Sequence, residues 1–119
     1  MPQDDLTIQR ELSGTTTIFR LWGSLDVATS PSLKEALTKA SAQGHHDIVV
    51  DLTQVDFLDS TGLGALMGAH RRAVESEGRL SLIVHEGPIS RLLTITGLSR
   101  IFSIFASSDD ALARIGAIE

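Results

Sequence analysis

The side chains with the clearest chemical potential stand between Asp59 and Gly64, in the order Asp-Ser-Thr-Gly-Leu-Gly. A carboxylate and two hydroxyls ahead of a glycine are typical of a helix start, where a polar side chain caps free backbone N–H groups. Ser60 would then lie at the positive end of the helix dipole, where the same N–H groups stabilise a phosphate. Each glycine in the first turn costs about 1 kcal/mol of helix stability relative to alanine. We therefore expect another group to approach the backbone closely here.

Composition and spacing alone leave a second interpretation of this segment open. Polar residues followed by glycine are also the usual composition of a loop that ends in a helix cap. On that interpretation Ser60 is a cap or a loop residue and carries no modification. The residues by themselves therefore do not establish a phosphorylation site.

The segment is expected to follow a buried strand and to begin a helix. The apolar run from Ile48 to Leu52 predicts a central strand buried on both faces, followed by a loop from Thr53 to Ser60. Apolar residues then recur with helical spacing from Leu63 to Val74, which predicts a helix. In open α/β sheets, ligands and partners meet the fold at the carboxyl ends of the strands. The segment therefore lies where a functional site is expected.

The remaining patterns predict an N-terminal β-hairpin followed by alternating strands and helices. The 119 residues suit a single domain, with a core from about residue 6 to residue 115. Alternation after the hairpin implies a mixed, mostly parallel sheet packed with about four helices, an α/β fold. Further strands are expected at Thr7 to Glu11, Thr16 to Trp22, Leu80 to Val84 and Ile101 to Phe105. Three further helices are expected: one is capped by Ser30, one spans Ile89 to Thr96, and one begins near Ser108.

Composition narrows the classes of function. The net charge of −5 and the aromatic content of 4% argue against a binder of nucleic acid. The absence of cysteine excludes disulfides and thiol catalysis. No apolar run approaches the roughly 18 residues of a membrane span, and no secretory signal pattern is present. We therefore expect a cytoplasmic protein with no nucleic-acid or membrane partner, no metal and no cofactor.

Catalytic patterns find no support either. A serine hydrolase needs a Gly-x-Ser-x-Gly turn and a histidine base. Gly62 stands two residues after Ser60, but Leu58 takes the place of the first glycine, and no pattern nominates a histidine as the base. Gly62 and Gly64 do not belong to a phosphate-binding P-loop, because the Gly-Lys-Ser/Thr that completes such a loop does not follow them. His45 and His46 are adjacent, so they point in different directions and are expected to be solvated surface residues. We expect a protein that is not an enzyme.

Three stretches together resemble the STAS family of anti-sigma-factor antagonists. The first is Asp59-Ser60-Thr61-Gly62-Leu63-Gly64 itself. The second is Gly23-Ser24-Leu25-Asp26-Val27, similar to the family's glycine-hydrophobic-aspartate loop, although many members carry an acidic residue where Ser24 stands. The third is Leu93-Thr94-Ile95-Thr96-Gly97-Leu98, similar to the family's short helix and glycine. The resemblance runs in order from about Leu6 to Leu112.

The resemblance implies a switch controlled by phosphorylation. In such proteins the serine after the motif aspartate accepts the phosphate; here this is Ser60, with Thr61 as the second candidate. The unmodified protein binds an anti-sigma factor that is also a serine kinase, and a sigma factor is released. Phosphorylation ends the interaction, and a separate serine phosphatase restores it. The chain would then be a substrate and a binder.

The resemblance also implies which residues bind the partner. Asp26 corresponds to the family's loop aspartate, which lies near the acceptor serine and contributes to recognition. A phosphate would add about −1.5 to −2 charges to this acidic setting. The partner-binding residues implied are Asp26, Asp59, Ser60, Thr61, Gly62, Leu63 and Gly64.

A STAS domain with a different partner is the alternative. Stressosome-like scaffolds, lipid-transport accessory subunits and transporter tails use the same fold, and nucleotide binding stays open. The lack of membrane segments and of a large N-terminal sensor domain argues against the transporter and stressosome forms. An antagonist is expected to be a monomer or a dimer, whereas a scaffold subunit should assemble.

Overall fold

The computed structural model describes residues 6–118, which form one five-stranded sheet with helices on both faces. The elements in chain order are β1 (Leu6–Ser13), β2 (Thr16–Leu25), α1 (Ser30–Ala42), β3 (Asp47–Leu58), α2 (Ser60–Glu75), β4 (Arg79–Ile83), α3 (Pro88–Ile95), a short 3-10 turn (Leu98–Arg100), β5 (Ser103–Phe105) and α4 (Ser108–Ile118). The strands lie in the order β1-β2-β3-β4-β5. β1 pairs with β2 in the antiparallel sense, and the three remaining pairs are parallel. The predicted hairpin, alternation and mixed sheet are confirmed.

Each face of the sheet is covered by its own hydrophobic core. Successive strand residues point to opposite faces, so Val50 lies in the larger core under α1, α2 and α3. Val49 lies in the smaller core, where Ala111 and Ile115 of α4 cover the other face. The central strand β3 is therefore buried on both faces over its first half, as its apolar run predicts.

The second half of β3 is a strand where the sequence predicts a loop. The loop expected from Thr53 to Ser60 is wrong as far as Leu58, because this stretch stays paired with β2 up to Leu25. Two register shifts interrupt the pairing. Such bulges break the alternation of apolar and polar side chains, and this conceals the strand in the sequence.

A polar network links three strands at the first of these shifts. The guanidinium of Arg20 lies 3.2 Å from a carboxylate oxygen of Asp51 and 3.2 Å from one of Glu11. Asp51 also accepts hydrogen bonds from the backbone N–H and the hydroxyl of Thr53, at 2.9 and 2.7 Å. The network joins β1, β2 and β3 where the ladder becomes irregular.

Three local predictions are wrong. α1 begins at Ser30, and the hydroxyl of Ser30 donates to the carbonyl of Asp26 instead of capping the helix. The last strand begins at Ser103, because Ile101 belongs to the preceding turn and is 44% exposed. The apolar spacing that predicts the second helix includes Val74 as an inward-facing residue, yet Val74 lies in the last turn of α2 and is 55% exposed.

The first turn of α2 packs directly against the end of β2, and only glycine fits at the closest point. A Cβ atom on Gly62 would lie 2.7 Å from the carbonyl oxygen of Leu25 and 2.7 Å from Cδ1 of Leu58. A Cβ atom on Gly64 would have no such neighbour within 4 Å. The expected close approach to the backbone is therefore made by the protein itself at Gly62, whereas Gly64 faces open space.

These two glycines form a matched pair for mutation. Gly62→Ala should lower the free energy of unfolding by about 1–3 kcal/mol, because the added methyl group collides with backbone. Gly64→Ala should raise it by up to about 1 kcal/mol through helix propensity alone. Urea denaturation of both variants and the parent protein measures the difference. Equal stability of the two variants would contradict the packing described.

Candidate functional site

Two of the stretches that carry the resemblance meet at the carboxyl edge of the sheet. Leu25 and Leu58, the last residues of β2 and β3, are partners in the parallel ladder. Asp26 and Asp59 follow them directly, and the N–H of Asp59 donates to the carbonyl of Leu25 over 3.2 Å. The loop that holds Asp26 and the start of α2 are therefore neighbours.

Asp26 organises the loop between β2 and α1. One of its carboxylate oxygens accepts hydrogen bonds from the backbone N–H groups of Ala28 and Thr29, at 3.0 and 3.1 Å. Its own N–H donates to the hydroxyl of Thr29 at 3.0 Å, and that hydroxyl donates to the carbonyl of Ser24 at 2.7 Å. This arrangement is an Asx turn closed by a threonine, and it holds the half-buried Asp26 in one position.

Asp59 is the cap of α2. Its backbone is extended, with φ −108° and ψ −175°, and its carboxylate accepts the N–H of Gly62 at 3.0 Å. The carbonyl of Asp59 accepts the N–H of Leu63 at 3.0 Å and begins the helical hydrogen bonding. The predicted helix start is confirmed, and among its three polar side chains Asp59 is the one that caps.

Ser60 and Thr61 are exposed on the first turn of α2. Within the described part of the chain, neither hydroxyl takes part in a hydrogen bond. Ser60 is the first helical residue and lies beside N–H groups that have no acceptor within the helix. A negatively charged group on Ser60 would be stabilised there by the helix N-terminus.

The other residues implied in partner binding differ in accessibility. Gly62 is buried against β2 and presents no surface. Leu63 is half-buried and packs against the larger core. Gly64 is exposed. Of these three residues, Gly64 is the most accessible to a partner, Leu63 is partly accessible and Gly62 is covered.

Two exposed apolar residues at this edge were missed by the sequence analysis. Val27, next to Asp26, is 70% exposed, and Phe57, near the end of β3, is 53% exposed. Large apolar side chains beside a polar site are common at protein interfaces. In the sequence each stands between an aspartate and another apolar residue, so nothing distinguishes it from a core residue. We refer to the following residues as the Ser60 surface: Asp26, Val27, Asp59, Ser60 and Thr61.

Among residues 6–118, no three histidine, aspartate or glutamate side chains gather as a metal site. His45 and His46 are both half-buried, although the sequence predicted solvated residues. His70 packs edge-on against Phe102, with ring centroids 5.4 Å apart. In the same part of the chain, no helix is long and apolar enough to cross a bilayer. The candidate site is the Ser60 surface, because the exposed hydroxyls of Ser60 and Thr61 and the capping carboxylate of Asp59 lie together there.

Comparison with known sequences identifies relatives of this chain. The model of the STAS domain family matches residues 7–111. The anti-sigma-B factor antagonist of Staphylococcus epidermidis is 35% identical over 85 residues, which cover 71% of this chain and 79% of that protein.

Solved structures share the fold over nearly its whole length. An anti-sigma factor antagonist from Mycobacterium paratuberculosis superposes with a TM-score of 0.87 at 26% identity, and the match covers 95% of this chain and 96% of that one. The Bacillus cell fate determinant SpoIIAA in its phosphorylated form superposes with a TM-score of 0.73 at 26% identity, covering 92% and 99%. With the family match extending over most of its length, this chain belongs to the STAS domain family.

Proposed function

We propose that this protein is an anti-sigma-factor antagonist that is switched off by phosphorylation of Ser60. Its unmodified form binds an anti-sigma factor that is also a serine kinase, and a sigma factor is released in the cytoplasm. The kinase phosphorylates Ser60, and a serine phosphatase restores the binding form. The names of the relatives support this proposal, since one antagonises an anti-sigma-B factor and another is known in a phosphorylated form.

The observation that carries the proposal is the position of Ser60. Its hydroxyl is exposed on the first residue of α2, directly after the capping carboxylate of Asp59. A kinase can reach a hydroxyl in this position without unfolding any element. Because the side chain is not packed in the core, the free protein can accept a phosphate without a change of fold.

Electrostatics supports a switch at this position. A phosphate adds about −1.5 to −2 charges next to Asp59, with Asp26 on the adjacent loop. A partner that covers the Ser60 surface would have to bury this dianion close to the carboxylates of Asp26 and Asp59, at a cost of several kcal/mol. Since each 1.4 kcal/mol is about a tenfold change in affinity, the phosphate alone suffices to release the partner.

Ser60 is the better acceptor of the two hydroxyls. Thr61 is also exposed, but it lines the groove between α1 and α2. Ser60 does not line that groove, and it directly follows the cap of the helix. Thr61 stays the second candidate. In both cases the chemistry belongs to the kinase and the phosphatase, and this chain is their substrate.

Variants of Ser60 should separate binding from folding. Ser60→Ala should bind the anti-sigma factor kinase with the affinity of the unmodified protein, whereas phosphorylated Ser60 should bind about a hundredfold more weakly. Ser60→Asp should lie between the two, because it carries one charge and lacks the phosphate shape. All forms should unfold within about 0.5 kcal/mol of one another, as expected for an exposed site. Calorimetric titration against the purified kinase and urea denaturation provide the two measurements.

Equal affinities for all forms would contradict the switch. The result would then favour a STAS interaction module of another assembly, such as a stressosome-like scaffold or a lipid-transport accessory subunit. Size-exclusion chromatography separates these outcomes further, because a scaffold subunit should assemble and an antagonist should run as a monomer or a dimer.

A pair of substitutions at Asp26 should separate its loop role from its charge. Asp26→Ala removes the acceptor of two backbone N–H groups and should cost about 1–2 kcal/mol of stability. Asp26→Asn keeps an oxygen in the same place, so stability should stay close to that of the parent. We expect Asp26→Asn to bind the kinase about five- to tenfold more weakly because the charge is lost. If Asp26→Asn binds with full affinity, the charge of Asp26 does not contribute to binding, and the residue acts only by forming the loop.

A further inference from the structure

A cationic groove opens between α1 and α2 beside the Ser60 surface. Its volume is about 530 Å³. Lys34 lines it from α1, and Arg71 and Arg72 line it from α2. No carboxylate is among its lining residues. We refer to this cleft, with Thr61 at one end and Gly64 and Gly68 along it, as the α1–α2 groove.

The charges of the α1–α2 groove are available to an anion. In the part of the chain that the structure describes, no carboxylate lies within 4.0 Å of the charged groups of Lys34, Arg71 or Arg72. Arg72 is half-buried, and one of its guanidinium nitrogens is buried without a hydrogen-bond partner. In a protein with a net charge of −5, this groove is a local region of opposite sign.

The direction of the two helices adds to this positive potential. α1 and α2 both connect parallel strands, so they run the same way and begin at the same end of the groove. Ser30 and Thr61, in the first turns of the two helices, both line it. Helix N-termini carry partial positive charge. The helix dipoles and the three side chains therefore favour the same kind of occupant.

The shape of the groove favours a chain segment over a single ion. Thr61 and Arg71 are ten residues apart on α2, which corresponds to about 15 Å along the helix. Gly64 and Gly68 lie between them; a Cβ atom on Gly64 would have no neighbour within 4 Å, and one on Gly68 would lie 3.5 Å from a guanidinium nitrogen of Arg72. Missing side chains along one helix face allow another backbone to approach closely. A phosphate ion is much shorter than the groove and would contact only one end of it, whereas an extended or helical segment would span the groove.

We propose that the α1–α2 groove binds an acidic segment of the protein partner, with carboxylates paired to the exposed Lys34 and Arg71. The proposal rests on the proposed function, because the partner is the one that covers the Ser60 surface. Thr61 belongs to both regions, so a single partner can occupy them together. The groove then supplies attraction and orientation, while Ser60 supplies the switch. Such charge pairing raises the rate of association and makes it sensitive to salt.

Hexaglutamate is a suitable probe, because it presents carboxylates without requiring the partner. In NMR titrations of the unphosphorylated protein labelled with ¹⁵N, the amide signals of Thr61, Gly64 and Gly68 should shift with hexaglutamate. They should shift little with hexaglutamine or with inorganic phosphate at equal concentration. Lys34→Gln and Arg71→Gln should each raise the Kd about two- to fivefold. The matched control is Lys39→Gln, a substitution of an exposed lysine on α1 that does not line the groove, and it should leave the Kd unchanged.

Three results would overturn the proposal. They are an absence of shifts at the groove amides, the same shifts with inorganic phosphate alone, and a control variant that weakens binding as much as the groove variants do. None of these results depends on Ser60 phosphorylation. The groove proposal can therefore be contradicted while the dependence of affinity on phosphorylation is confirmed. In the same way, the groove proposal can be confirmed while the phosphorylation switch is contradicted.

Discussion

The parallel pairing of β2 with β3 up to their final residues is the constraint on which the site depends. It places Leu25 beside Leu58, so the two loops that follow leave the sheet at one point. The hydrogen bond from Asp59 to the carbonyl of Leu25 continues this contact beyond the ladder. Gly62 then allows α2 to begin against the same carbonyl. A side chain at that position would push the first turn of α2, and Ser60 with it, away from the loop that holds Asp26.

Hydrogen bonds within the chain hold the charges of the site in position before any partner arrives. Asp26 and Asp59 each use a carboxylate oxygen to accept backbone N–H groups. Such preorganisation lowers the entropy cost of binding. It also means that the proposed phosphate on Ser60 would meet negative charge that cannot easily move away. The adjacent α1–α2 groove has the opposite sign, so the proposed partner would face an ordered pattern of acidic and basic regions.

Local rules predicted much of this arrangement, and tertiary geometry decided the rest. The capped start of α2 could be predicted, because capping depends on neighbouring residues such as Asp59 and Gly62. The strand from Thr53 to Leu58 could not, because bulges remove the alternation that identifies a strand. The groove at Lys34 and Arg71 could not be predicted from the sequence either, because it forms between two helices that β3 separates in the chain. The role proposed for Ser60 comes from the resemblance to a family, because composition alone left that role open.

Phosphosite mapping by mass spectrometry, after incubation of the purified protein with ATP and lysate from its own cells, tests the central proposal most directly. A switch at the start of α2 predicts a single phosphate on Ser60 that is absent from Ser60→Ala. Phosphate on Thr61 alone would move the site by one residue and contradict the assignment of Ser60. No phosphate at all, in a lysate of proven kinase activity, would contradict the switch and leave Ser60 as an ordinary residue of a helix start.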